Sequence, residues 1–264
     1  MAGVPETGLT TIPGRRISMI APSDQEAPTM SIYKKPQIYW RATIVACAMA
    51  GLLTGEHRII FYTCQSNLIV IGYFIGTIYW MIQRNTTDTP APRLRGPVTF
   101  WITITCLISH FVLNHGDSPI PGLTDPDPAT RLTNWSLFLL HYVVPLMVIV
   151  DWAAFGPRRQ VRWRDLPLWL LFPLGYGVTS VFRAILFPTV ANRYPYPFLN
   201  PVEQGGYDGV ALQMLILAVE FAVLASLVIG LDRLAFRLTG RTELLPAGKA
   251  LATPTPDAYA DRHD

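Results

Sequence analysis

Residues 135–152 read WSLFLLHYVVPLMVIVDW. Apart from His141 and Asp151, no side chain in this stretch is charged or titrates near neutrality. As a helix rising ~1.5 Å per residue, it spans most of a ~30 Å hydrocarbon core. Five more stretches of the same character lie at roughly 37–54, 61–82, 97–115, 166–188 and 210–231. Backbone polar groups in lipid must be satisfied within each span, so the reading is all-α: an integral membrane six-helix bundle.

The arginines set an orientation. Arg15, Arg16, Lys34 and Lys35 precede the first stretch, and Arg84, Arg93 and Arg95 follow the second. Arg158, Arg159, Arg162 and Arg164 follow the fourth, and Arg233, Arg237 and Arg241 follow the sixth. The alternate connections hold only Arg58, Arg131 and Arg193. By the positive-inside rule the N and C termini are cytoplasmic, and the expected location is the cell membrane of a prokaryote. The net charge of +3 follows from this bias and implies contact with anionic lipid, with no nucleic-acid partner.

Three segments follow: a disordered tail over 1–35, the six-helix domain over 36–235, and a second tail over 236–264. The first is rich in Pro, Ser and Thr and has no apolar run. Cys47, Cys64 and Cys106 all fall inside spans, so no disulfide framework and no zinc spacing is expected. No cofactor or metal is expected.

Ionisable and polar groups inside spans are functional candidates. Counted at ~1.5 Å per residue, Thr63, His110, His141 and Arg183 all fall ~5–10 Å below the outer surface. Ser66 and Asn67 follow Thr63 at i+3 and i+4 and so share its face. A threonine hydroxyl becomes a nucleophile when a base takes its proton, and histidine is the usual base. Asn67, His110 or Arg183 could then hold an oxyanion. Two groups stand apart from this layer. Arg41 and Asp151, of opposite charge near the inner boundary, are expected to pair. Glu220 lies in the middle of the sixth span, with Gln213 two turns away.

Three motifs carry a resemblance: IIFYTCQSNLIV over 59–70, LLHYVVPLMVIVDW over 139–152, and YPYPFLNP over 194–201. With these the chain resembles the bacterial six-transmembrane family written Pr-six-Pr. More distantly, it is similar to the androgen-induced membrane hydrolases of animals. The resemblance spans 36–235. It implies hydrolysis of fatty-acid esters, with Thr63 as nucleophile and His141 as base. Tyr196 and Asn200 of the aromatic-proline motif join Ser66, Asn67, His110 and Arg183 of the polar layer as expected substrate-binding residues. Ser66 is a rival nucleophile. Membrane lipid and a lipid ester are the expected partners. The competing expectations are a small transporter, with Glu220 and Arg41 along its path, and a non-catalytic membrane protein.

Overall fold

The computed structural model describes residues 31–55, 59–155 and 161–243. Expectations for residues 1–30 and 244–264, and for Arg58, Arg158 and Arg159, lie outside them. Among the described residues all regular structure is helical. The long helices are α1 (Pro36–Thr54), α2 (Tyr62–Arg84), α3 (Pro92–Leu113), α4 (Pro128–Ala154), α5 (Leu166–Leu186) and α6 (Tyr207–Glu243). Five of them, α2 to α6, are long and apolar enough to cross a membrane. The exception is α1, whose first two turns carry Gln37 and Arg41.

The boundaries follow local chemistry. Proline opens α1, α3 and α4, where its missing N–H would have no partner in the helix anyway. Asp127 caps α4 by accepting from the Thr130 N–H at 2.8 Å. The hydroxyl and N–H of Thr130 hold that exposed carboxyl below its usual range. Asn85 ends α2 in the left-handed region at φ 47°. Two ends differ from expectation. Residues 31–35, read as tail, form a turn that buries Ile32 against Ile38 and Met81. At the other end α6 continues past residue 235 to Glu243.

Helix α3 lies between two apolar clusters. One joins α1, α2, α3 and α4 through Ile44, Val70, Phe74, Ile102 and Val148. The other joins the start of α2 with α3, α5 and α6 through Tyr62, Phe100, Trp169, Tyr176 and Phe221. Small residues set the close approaches. A Cβ on Gly51 of α1 would stand 2.7 Å from the Leu140 side chain of α4.

Two helices carry π-helical turns at the same end of the bundle, Ile108–Leu113 in α3 and Leu139–Val143 in α4. The α4 turn has a cause in the sequence. Pro145 has no N–H to give to the carbonyl of residue 141, so the ordinary i→i−4 bond cannot form there. The chain widens by one residue instead, and the Val144 N–H reaches the Leu139 carbonyl.

The expected Arg41–Asp151 pair lies at the other end. Arg41 Nε donates to Asp151 Oδ1 at 3.0 Å, with the two side chains 1 % and 2 % exposed. Arg95, at the start of α3, reaches both Oδ2 (3.3 Å) and the backbone carbonyl of Asp151. One carboxylate therefore serves two buried guanidinium groups.

Candidate active site

The N-terminus of α2 brings Thr63 to the π-helical turn of α4. Thr63 Oγ1 lies 3.0 Å from His141 Nε2. The other ring nitrogen, Nδ1, lies 2.8 Å from the Leu137 carbonyl oxygen. A carbonyl only accepts, so Nδ1 carries the proton and Nε2 of the neutral ring is left with its lone pair. The Thr63 hydroxyl is then the donor to Nε2. This is the polarity that general-base activation of a hydroxyl requires.

The pair stands between two spaces of different character. On one side a narrow cavity runs among α2, α3, α5 and α6, lined largely by apolar side chains such as Ile104, Ile108, Leu174, Met214, Leu217 and Phe221. Its volume is about 520 Å³. On the other side is a wider, open cleft of about 1140 Å³. Asn114, His115, Asp117, Ser118 and Asn134 line it. Ser109, Leu113 and His141 border both spaces. A molecule with one apolar and one polar part would cross the Thr63–His141 contact as it passes from cavity to cleft.

Tyr196 lines the cavity beside Thr63. It is 8 % exposed and packs against Phe61, Tyr176 and Phe198. Burial pushes its phenol up, against a smaller pull from the Thr63 side chain and the Thr63 and Tyr62 N–H groups. Those N–H groups belong to the first turn of α2, where no helical acceptor precedes them.

Other residues of the expected layer have different duties. Asn67 is fully buried and does not border the cavity. Its Nδ2 donates to the Thr63 carbonyl at 2.9 Å and to the Leu140 carbonyl at 3.3 Å, tying the turn of Thr63 to the turn of His141. Ser66, 1 % exposed, bonds the Thr63 carbonyl and the Thr105 hydroxyl, so it is not placed as a rival nucleophile. His110 faces Tyr142, with Nδ1 at 3.4 Å from the phenol oxygen, and borders neither space. Arg183 gives its Nη2 to the Asn192 and Arg193 carbonyls and lines a separate pocket with Tyr176, Thr179 and Ser180. Asn200 holds the turn before α6, donating to Glu203 and accepting from the Val202 N–H. These five were placed by depth along their helices, by spacing from Thr63 or by a motif. Depth does not say which way a side chain turns.

Thr105 and Ser109 were not among the expected site residues, yet both border the cavity. Thr105 was legible only through its position on the buried face of α3, seven residues after Val98 and three after Ile102. Among the described residues no three His, Cys, Asp or Glu side chains gather as a metal site would require. Comparison with protein-family models, with curated proteins and with solved structures gave no match.

Proposed function

We propose that this multi-pass membrane protein is a hydrolase of lipid esters. Thr63 is the nucleophile and His141 the base, in keeping with the resemblance to the Pr-six-Pr family and the animal androgen-induced hydrolases. The observation that carries the reading is the 3.0 Å Thr63 Oγ1–His141 Nε2 contact, with Nδ1 held by the Leu137 carbonyl. In the first half-reaction the Thr63 oxygen adds to the ester carbonyl while its proton passes to Nε2. The tetrahedral intermediate then expels the alcohol, which leaves with that proton. In the second half-reaction water attacks the acyl-threonine and gives a proton to Nε2; the intermediate then collapses, the acid leaves, and the proton returns from Nε2 to the Thr63 oxygen. In this reading the Tyr196 phenol, which lines the cavity with Thr63, donates to the oxyanion in both steps. The acyl chain occupies the apolar cavity, and the polar alcohol part leaves through the cleft.

In this reading all six helices cross the plasma membrane with both termini cytoplasmic, and α1 is carried across by its packing on α2 and α4. The transport alternative has less support. Glu220 faces outward from α6, Arg41 is buried in its ion pair, and neither lines the spaces described above.

An active-site-directed fluorophosphonate tests the reaction class. The purified protein should take up the label, and Thr63→Ala should not. Equal labelling of both proteins would end the threonine-nucleophile reading. The orientation has its own test. With an impermeant thiol reagent on intact cells, Asp127→Cys should label and Arg164→Cys should not. The reverse pattern would turn the site toward the cytoplasm.

A further inference from the structure

Glu220 lies on the outward, exposed face of α6, the most apolar of the membrane-crossing helices. It stands twelve residues after Asp208 and twelve before Asp232, the acidic residues that flank the apolar run. At ~1.5 Å per residue that places it ~18 Å from either, near the bilayer centre. Lipid chains satisfy the apolar residues around it, but they offer a carboxyl group no hydrogen-bond partner, so an unpaired one is costly there. Yet Glu220 has no side-chain hydrogen bond or ion pair among the described residues of its own chain. Arg41 and Arg95, buried guanidinium groups of the bundle, are committed to Asp151.

The residues around Glu220 repeat in sevens. Gln213, Glu220, Leu227 and Leu234 occupy one set of positions, and Ile216 and Val223 fall three residues after the first two. This is the a/d spacing of a left-handed helix pair, with polar groups at two successive a positions. Except for half-buried Gln213, all of these side chains are exposed.

We propose that this face of α6 is the seam of a homodimer, and that the Glu220 carboxyl groups of two copies hydrogen-bond across its axis. The occupant follows from symmetry. Copies of one chain insert with the same orientation, so a two-fold axis must run along the membrane normal. The two α6 helices are then parallel, and each seam residue meets its own counterpart at the same depth. A carboxyl group that carries its proton both donates and accepts, so two such groups satisfy each other and a second copy supplies the missing partner with no new chemistry. Gln213 pairs likewise two turns away. A different partner would have to bring its own polar group to this depth. The inference needs only that α6 crosses a membrane, and it stands apart from the hydrolase reading.

The test uses the 264-residue chain in vesicles of phosphatidylcholine and phosphatidylglycerol, with Cys47, Cys64 and Cys106 replaced by alanine. Under mild oxidation V223C and L227C should cross-link into dimers, whereas F182C, exposed on α5, should not. Adding Glu220→Leu to V223C should weaken association by roughly tenfold, read as loss of energy transfer between labelled copies on dilution with lipid. Glu220→Gln, which can also pair across the axis, should keep it. Overturning results are a monomer at every lipid ratio, which leaves the face to lipid or to another membrane helix, and cross-linking that Glu220→Leu does not change.

Discussion

Thr63→Ala and His141→Ala are each expected to lower ester hydrolysis by about 10²–10⁴-fold, the range associated with losing general-base activation. The double variant should be no slower than the worse single one, because hydroxyl and imidazole act as one unit. Long-chain ester turnover by purified protein in detergent, with melting curves alongside, gives the measurement. Thr63→Ser should retain part of the activity, since it keeps a hydroxyl at hydrogen-bond distance from Nε2. Near-normal turnover in His141→Ala would remove the imidazole from the mechanism. Asn67→Ala separates positioning from chemistry. It cuts the tie between the two turns without touching the cavity, so it should reduce turnover less than either change in the pair.

The second large effect concerns stability. Asp151→Ala should destabilise the bundle by about 3–5 kcal/mol, because it leaves two guanidinium groups buried without their carboxylate. Arg41→Met should cost less, since Asp151 keeps Arg95 and the methionine fills much of the same space. The asymmetry between the two variants is the diagnostic, read as loss of melting temperature in detergent. Equal effects would mean that the two arginines do not share the acid. An unchanged melting temperature for Asp151→Ala would mean that water reaches the cluster and screens it. The near-complete burial of the pair argues against that outcome.

Both sites were legible in the sequence to a limited and physical extent. Counting residues from a span's end gives depth, because the helical rise is nearly constant. Thr63 and His141 at one level, and Arg41 and Asp151 at another, could therefore be paired before any coordinates. Counting gives the rotation about the helix axis less well, because packing with neighbours decides which part of a helix faces a cavity. His110 and Arg183 share a level with Thr63 but turn toward Tyr142 and the Asn192–Arg193 carbonyls. Ser66 and Asn67 share Thr63's side of α2, yet a rotation of less than a quarter turn places them against α3 and α4 instead of in the cavity. Arg95 was missed for another reason. Apolar content marks where lipid begins, whereas α3 begins at Pro92, several residues earlier, and so carries that arginine inside the fold. The five apolar helices were legible from composition. The sixth, α1, falls short in apolar content because its first two turns carry Gln37 and Arg41.

The widened turn at Leu139–Val143 gives α4 a phase shift. One extra residue in a helix rotates everything beyond it by about 100° relative to what came before. His141 sits in that turn and Asp151 lies beyond it. The imidazole's aim at α2 and the carboxylate's aim at α1 and α3 are thus set by two different screws joined at a proline. An uninterrupted α-helix of this sequence could keep one of those aims but not both. The length of this turn, counted in whole residues, therefore couples a chemical contact at one end of the molecule to an ionic one at the other.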